Sequence, residues 1–206
     1  MKKIIIVGAG GFGREIAWVI NRVNQGGKFF KIVGFCDDDL GKADDVVDVA
    51  PFLGSVQNII RKYPACGYIC AIGNNKIRFN LMDQLNKAAL QPLTVIDPTA
   101  VIAENALVGE GSFIGVNSVV SVGCVLADGC IVNHNVTVGH DVTAGDCVQL
   151  CPGVRVSGGC SLGSGALLGS NSCTIPCKTM GDWSILGAGA VLLSDLKAND
   201  SRVRIR

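Results

Sequence analysis

The chain has 206 residues, and its 18 Lys and Arg residues against 17 Asp and Glu give a formal net charge of only +1. A near-neutral chain is not strongly steered towards nucleic acid or a membrane surface, so we expect neither as a partner. No apolar segment reaches membrane-spanning length, and the apolar residues after Lys3 stop at Gly8, too early for a signal peptide.

The first ninety-six residues alternate between predicted strands and predicted helices. The strands are expected at 3–7, 31–35, 68–72 and 93–96, and the helices at 14–24, 56–62 and 77–89. This alternation is typical of a parallel sheet with helices on both faces. We therefore predict a small Rossmann-like domain at 1–96 and a second domain at 97–206.

A glycine-rich turn comes after the first predicted strand and precedes the first predicted helix. It has the pattern Gly8-x-Gly10-x-x-Gly13, with a further glycine at Gly11. In this context the backbone amides and the helix N-terminus face a pyrophosphate. We expect Gly10, Gly11 and Gly13 to contact one.

An acidic run stands where the second predicted strand ends. Asp37 and Asp38 are candidates for binding ribose hydroxyls, whereas Asp39 is expected in a solvated turn. The predicted sheet has only about four strands, half of a dinucleotide fold, and the residues after position 96 offer no second domain of the kind that places a hydride acceptor. A mononucleotide diphosphate fits better, which indicates a nucleotide-activated sugar.

A six-residue repeat occupies the second half of the chain. From Ile102 to Leu192 an aliphatic residue recurs at every sixth position without an insertion, and only Ala144 and Thr174 are not large and apolar. A small residue usually comes next, and another stands two positions before. Three such hexads form one triangular coil of roughly 18 residues, so we predict a parallel β-helix of about five coils. A two-sheet sandwich is disfavoured because its loops vary in length.

The repeat also explains several of the ten cysteines. Cys124, Cys130 and Cys160 fall on its small inward position, where a thiol serves as a small apolar group. Other pairs are four residues apart, unlike common zinc knuckles, and the chain has only two histidines. We therefore expect free thiols, no metal and a cytoplasmic location.

Apolar residues also occupy outward positions of the repeat. Together they predict an interface between copies of the chain. They are Val101, Leu107, Phe113, Val119, Val125, Ile131, Leu167 and Val191. The charged residues near the end, Arg202, Arg204 and Arg206, are instead expected to form a solvated tail.

Taken together, these motifs resemble one family. The segment 162–169 fits the signature of the left-handed hexapeptide-repeat acyltransferases. The chain also resembles bacterial sugar acetyltransferases of the sialic-acid O-acetyltransferase type, through residues 8–15, Asp37-Asp38 and 73–78. That family includes UDP-4-amino-sugar and perosamine N-acetyltransferases. The resemblance implies a left-handed β-helix, a homotrimer, acetyl-CoA as donor and a sugar amine or hydroxyl as acceptor. It also implies substrate contacts by Gly73, Asn75, Lys76 and Arg78.

The resemblance places the catalytic base in the repeat, as a histidine with an acid directly after it. Here these are His140 and Asp141, on a turn. His140 would take the proton from the acceptor and Asp141 would orient the imidazole. His134, one hexad earlier, is an alternative base or a substrate contact, and Asn133 beside it a further substrate contact.

The resemblance also implies that the donor lies in a groove between two β-helices. The donor contacts would be Gly158, Gly187, Ala188 and Gly189. The Gly158 N–H would also hold the oxyanion. Arg155 and Lys178 are candidates for contacts with the phosphates of the donor. The chain departs from some relatives in two places. Gln149, assigned here to the donor site, replaces a second histidine, and the last residues lack a Gly-x-Pro-Ala-Lys/Arg segment.

Three functions remain open on the sequence. The first is acetyl transfer to the amine of a nucleotide-linked sugar, and the second is O-acetylation of a sugar hydroxyl, since one base serves both nucleophiles. The third is a non-catalytic trimer that binds a nucleotide sugar.

Overall fold

The computed structural model describes residues 1–27 and 29–203 and divides into two units, which are residues 1–98 and the chain from Thr99 onwards. Unit 1 contains a four-stranded parallel sheet with the order β2-β1-β3-β4. Its strands are β1 Lys2–Val7, β2 Phe30–Cys36, β3 Gly67–Cys70 and β4 Gln91–Pro92, and the short β5 Val95–Ile96 comes after them. Its helices are α1 Gly11–Gln25, α2 Val56–Lys62 and α3 Asn75–Lys87, with a 3-10 turn at Leu40–Ala43.

The sheet forms because its central strand is apolar on both sides. Ile4, Ile5 and Ile6 of β1 are fully buried, as expected for a parallel strand covered on both faces. Helix α1 buries one face, including Ile16 and Ile20.

Two helices begin earlier than the sequence predicts, which changes where the site residues lie. Helix α1 begins at Gly11 rather than at residue 14, and α3 begins at Asn75 rather than at residue 77. In α3 the reason is the Asn74 side chain, which accepts a hydrogen bond from the Ile77 amide at 3.1 Å and caps the helix. The predicted fourth strand is also split, into β4 and β5.

Unit 2 is built of two-residue strands, which four-residue turns separate as far as Leu192. The strands are β6 Val101–Ile102, β7 Leu107–Val108, β8 Phe113–Ile114, β9 Val119–Val120, β10 Val125–Leu126, β11 Ile131–Val132, β12 Thr137–Val138, β13 Thr143–Ala144, β14 Gln149–Leu150, β15 Arg155–Val156, β16 Ser161–Leu162, β17 Leu167–Leu168, β18 Cys173–Thr174, β19 Thr179–Met180, β20 Ile185–Leu186, β21 Val191–Leu192 and β22 Ser201–Arg202.

Up to β21 each strand pairs in parallel with the strand eighteen residues away, and β22 pairs with β20 at a separation of sixteen residues, which produces three sheets. Their orders are β7-β10-β13-β16-β19, β8-β11-β14-β17-β20-β22 and β6-β9-β12-β15-β18-β21. The inward aliphatic residues and the small residues beside them form one apolar core. The third turn residue repeatedly has a positive φ, as at Asn117, Gly123, Asp141 and Gly159. The predicted α/β domain joined to a β-helix is thus confirmed.

The small inward side chains do more than fill space. Ser118 donates a hydrogen bond to the carbonyl of Asn133 at 2.5 Å, and Cys124 donates one to the carbonyl of Gly139 at 3.0 Å. Cys130 bonds in the same way to the carbonyl fifteen residues further on. The inward cysteines are therefore hydrogen-bond donors as well as small residues, a role that the apolar interpretation missed. Burial raises the pKa of the Cys124 thiol, so it stays protonated and able to donate.

Two inward serines provide a test of this hydrogen-bonding pattern. The Ser184 hydroxyl is fully buried and has no hydrogen-bond partner among the described residues, whereas Ser118 also accepts the Val136 amide at 3.1 Å. Ser184→Ala is expected to leave the free energy of unfolding unchanged or raise it, because a desolvated hydroxyl is removed. Ser118→Ala is expected to lower it by about 1–3 kcal/mol, because a buried amide loses its acceptor. Denaturant unfolding of the two variants measures both; equal effects would contradict the assignment.

The predicted outward apolar set does not form one exposed surface. Val101, Leu107, Val119, Val125 and Val191 are exposed, but they lie on two of the three sheets. Phe113 and Ile131 do not belong to the inward apolar core, but they are buried, so neither contributes to an exposed face. Phe113 packs edge-on against the His134 ring, with 6.2 Å between the ring centroids.

The C-terminal segment is also more ordered than a solvated tail. Arg202 lies in β22, and its guanidinium donates hydrogen bonds to the carbonyl and hydroxyl of Ser194, both at 3.0 Å. The prediction was wrong here because the repeat resumes after a short interruption. Arg204 and Arg206 lie outside the described residues.

The structure contains no disulfide among its ten cysteines. Within residues 1–27 and 29–203, no group of three or more His, Cys, Asp or Glu side chains is arranged to hold a metal ion. No helix in the described part of the chain is both long and apolar enough to cross a membrane.

Candidate functional site

In the glycine turn of unit 1, one glycine is required for close packing and two others border open space. A Cβ on Gly13 would lie 2.2 Å from the Gly8 carbonyl oxygen, so this glycine is needed for close helix–strand packing. A Cβ on Gly10 would meet no atom within 4 Å, and Gly11 has only the Arg14 guanidinium at 3.9 Å. Gly10 caps α1 without a side-chain hydrogen bond. Gly10 and Gly11 therefore border open space at the N-terminus of α1, where an anion can approach.

The Asp37 side chain stabilises this turn through hydrogen bonds. Its carboxylate accepts hydrogen bonds from the Ala9 amide at 2.9 Å, the Asp39 amide at 3.0 Å and the Lys42 ammonium at 3.1 Å. Burial alone would raise the pKa of Asp37, but these donors outweigh it and hold the pKa below its ordinary value. Asp38 is similarly occupied, since it accepts the Val56 amide at the start of α2 at 2.9 Å. The structure gives both carboxylates positioning contacts, and their contact with ribose stays a prediction.

The lowered pKa of Asp37 makes a stabilising contribution that depends on pH. Because the pKa is lower in the folded chain, the contribution is fully present above the unfolded value of about 3.9 and is lost as the pH falls through the folded value. We expect Asp37→Asn to lower the free energy of unfolding at neutral pH. The difference from the unmodified chain should shrink below about pH 4, as denaturant titrations at a series of pH values would show. A difference that is constant with pH would contradict this account.

The run from Gly73 to Arg78 is partly exposed and partly structural. Gly73 and Lys76 are exposed, and a Cβ on Gly73 would meet no atom within 4 Å. Asn75 is buried in the first turn of α3. Arg78 is fully buried, and its guanidinium donates to the Ile72 carbonyl at 2.7 Å. Arg78 therefore supports this loop, and the substrate contact that the resemblance implies for it stays a prediction.

The turns of unit 2 stack into columns, and one column carries the predicted base. We call the turn residues 122–123, 140–141 and 158–159 the His140 corner. Backbone bonds join its turns, from the Asp141 amide to the Val122 carbonyl and from the Gly159 amide to the His140 carbonyl. The corner is a rigid support, since each turn is fixed by the coils on both sides.

His140 and Asp141 form a pair on this corner. The imidazole Nδ1 lies 2.9 Å from the Asp141 Oδ2, and both side chains are about two-thirds exposed, at 66% and 70%. Asp141 has a φ of +57°, which turns its carboxylate back towards the ring of the preceding residue. With Nδ1–H donated to the carboxylate, Nε2 carries the lone pair and is available as a base.

Gly158 lies directly against the imidazole. A Cβ on Gly158 would be 2.4 Å from Nε2 of His140, and its amide donates no hydrogen bond to any described residue. The neighbouring contact that the sequence analysis missed is Gly123, whose Cβ would be 2.4 Å from Asp141 Oδ1. Gly123 stands eighteen residues before Asp141, which is one coil, so the repeat could have predicted this contact.

Gly158→Ala is expected to displace the imidazole, because the added methyl would occupy its place. The ring can rotate into solvent, so we expect little loss in the free energy of unfolding and a large loss of any activity that depends on Nε2. Denaturant unfolding together with an activity assay measures this. Gly165→Ala is the control for strain at a turn glycine away from the corner, since its Cβ would meet the Trp183 ring. Unchanged activity in Gly158→Ala would contradict a catalytic place for this ring.

His134 stands on a different corner and has a different hydrogen-bond pattern. Its Nδ1 accepts the Val116 amide at 3.0 Å, so the ring proton is on Nε2. The Asn133 side chain accepts the His134 amide at 2.7 Å. A ring with its outer nitrogen protonated is a donor rather than a base, which favours a substrate contact over the alternative base role.

The remaining predicted donor contacts are spread over two corners and two of the three sheets. Gly187 and Ala188 lie at the corner of His134, away from Gly158. Gln149 lies on β14, where its amide is 3.7 Å from the Cys151 sulfur. The Arg155 guanidinium donates to the carbonyls of Asn135, Gly153 and Val154. This arginine is therefore held by the backbone, and Lys178 is half-buried. One chain does not bring these residues together.

A family comparison identifies the first part of the chain. Residues 3–85 match the family described as the PglD N-terminal domain. A comparison with curated proteins finds no match.

Solved structures match over nearly the whole chain. A variant of perosamine N-acetyltransferase from Caulobacter crescentus, in complex with CoA and GDP-perosamine, has 25% identity and a TM-score of 0.90 over 99% of this chain and 94% of that one. The acetyltransferase domain of PglB from Neisseria gonorrhoeae, in complex with acetyl coenzyme A, has 28% identity and a TM-score of 0.87 over 98% and 96%. WeeI from Acinetobacter baumannii has 25% identity and a TM-score of 0.87 over 99% and 97%. The resemblance found in the sequence is thereby confirmed, and this chain joins a PglD-type N-terminal domain to the hexapeptide-repeat, left-handed β-helix fold of bacterial sugar acetyltransferases.

Proposed function

We propose that the chain is an acetyl-CoA-dependent acetyltransferase that acts on the amine of a nucleotide-linked amino sugar, with His140 as general base. The observation that carries this is the pair on the His140 corner, in which Asp141 contacts Nδ1 and Nε2 lies beside Gly158, whose amide donates no hydrogen bond to a described residue. The match to an enzyme solved with CoA and GDP-perosamine supports the choice of donor and of acceptor class. The glycine turn, where α1 has no side-chain cap, is the proposed binding site for the nucleotide diphosphate.

The proposed reaction transfers one acetyl group and one proton. The amine nitrogen attacks the thioester carbonyl as Nε2 of His140 accepts a proton from it, so that an N–C bond forms. The C–S bond then breaks, and the proton passes to the thiolate of CoA. Asp141 holds the ring orientation and stabilises the imidazolium, and the Gly158 amide is the proposed donor to the oxyanion.

Further residues are proposed as contacts rather than as reacting groups. His134 would donate from Nε2–H, and Asn133 would offer its amide to the acceptor sugar. Gly187, Ala188 and Gln149 are proposed to lie along acetyl-CoA. Because these residues are spread over separate corners and a face of one β-helix, we propose a homotrimer in which the corner of one copy meets that of the next. A cytoplasmic location is supported by ten free thiols.

The test is an activity assay with a panel of substrates. Purified protein is incubated with acetyl-CoA and with UDP- and GDP-linked amino sugars, and the sugar product is detected by mass spectrometry. A thiol reagent is unsuitable as the readout, since the chain itself carries ten cysteines. Gain of one acetyl group on an amino sugar, with no acetylation of the matching hydroxy sugar, supports the proposal. Acetylation of hydroxy sugars alone, or nucleotide-sugar binding without transfer, would contradict it.

A further inference from the structure

A concave region lies in unit 1, at the end of the sheet away from the glycine turn. A cavity of about 960 Å³ is present where the strands β1 to β4 begin. Four lysines line it, namely Lys2, Lys3, Lys31 and Lys62. The register of the sheet accounts for part of this cluster, because Lys3 of β1 pairs with Lys31 of β2.

The charged side chains that line this cavity are all positive. No Asp or Glu lines it, and none of the four lysines forms an ion pair with a described residue, in contrast to Lys42 and Lys87. All four are exposed. For a chain of net charge +1, four unpaired cations around one concave surface are a local excess that an anion would neutralise.

The walls between the lysines are apolar. Ile32, Tyr63 and Leu93 contribute to them, and the volume is within the range of about 300–1,000 Å³ of small-molecule sites. Lysine ammonium groups bind phosphate as point charges, without the planar geometry that arginine requires. The combination fits a ligand with a phosphorylated end and an organic body.

We propose that this cavity binds a small phosphate or diphosphate ester, at a site separate from the glycine turn. Strand β1 runs from the cavity at Lys2 to the turn after Val7, and five steps of about 3.3 Å place the two about 17 Å apart. The proposal does not depend on acetyl transfer, since it concerns a different edge of the sheet.

The first experiment measures inorganic pyrophosphate binding by calorimetry at low salt. The double variant Lys31→Gln/Lys62→Gln is compared with Lys87→Gln/Lys197→Gln, which changes the net charge equally at exposed positions outside the cavity. We expect the Kd to rise at least tenfold in the first variant and less than twofold in the second. Equal changes in both would overturn the proposal, because they would show only an effect of net charge.

Two further measurements locate the site and test the organic body of the ligand. Gly10→Glu places a carboxylate at the glycine turn and should leave the lysine-dependent binding unchanged; its loss would assign that binding to the turn instead. Phenyl phosphate should bind more tightly than inorganic phosphate to the unmodified chain. Equal affinities would overturn the ester part of the proposal.

Discussion

His140→Ala is expected to lower kcat/KM for acetyl transfer by about 10²–10⁴-fold, the range that a positioned general base contributes. The variant should fold normally, because the side chain is 66% exposed and packs on a glycine. The measurement is the initial rate of sugar acetylation under subsaturating acceptor, with the free energy of unfolding measured alongside. A loss of less than about tenfold, far below that range, would contradict the assignment of the base.

Two matched variants separate the base from its surroundings. Asp141→Asn keeps a residue that tolerates positive φ and removes only the charge, so its activity should fall between those of the unmodified chain and His140→Ala. His134→Gln keeps a side-chain acceptor near the Val116 amide and should raise KM for the acceptor more than it lowers kcat. If His134→Gln abolished kcat while His140→Ala did not, the roles of the two histidines would be reversed.

Gly10→Glu is expected to abolish nucleotide-sugar binding, with Kd raised by more than about a hundredfold, because a carboxylate would stand where a pyrophosphate binds. The chain should remain folded, since a Cβ at this position meets no atom within 4 Å and φ is −85°. Calorimetry with the nucleotide sugar identified in the activity assay measures the effect.

Gly13→Ala is the matched comparison within the same turn. Its Cβ would lie 2.2 Å from the Gly8 carbonyl oxygen, so the helix and strand must separate. We expect this variant to lower the free energy of unfolding by about 1–3 kcal/mol, the usual cost of overpacking. If Gly10→Glu unfolded the chain while Gly13→Ala left the free energy of unfolding unchanged, the roles given to the two glycines would be wrong. Gly13 would then not be needed for packing, and Gly10 would not border open space.

The fold was predictable because a strict period carries most of the information. An uninterrupted six-residue recurrence admits few structures, and the same arithmetic places Gly158 one coil from His140. The helix starts were less predictable, since the cap at Asn74 is a local side-chain contact that the apolar pattern does not show. Burial of Phe113 and Ile131 was also missed, because the repeat shows which side chains point outward but not what covers them.

The candidate site was predictable where it depends on local chain geometry and not where it depends on buried contacts. His140 and Asp141 are adjacent residues on one turn, so the sequence alone indicates their pairing. The burial of Arg78 could not be predicted, because the sequence does not distinguish a fully buried arginine from an exposed one. For Asp37 the family pattern indicates a ligand contact, whereas the structure adds the Ala9 and Lys42 contacts that hold the turn.

The eighteen-residue pairing of unit 2 restricts how such a chain can change its length. An insertion of one residue within a strand would shift every later side chain by one position and bring inward residues to the outside. Gain or loss of a complete coil leaves the columns aligned, and other insertions are tolerated only as loops that protrude from a corner. Length differences among chains built in this way should therefore occur in multiples of eighteen, or as outgrowths at the turns.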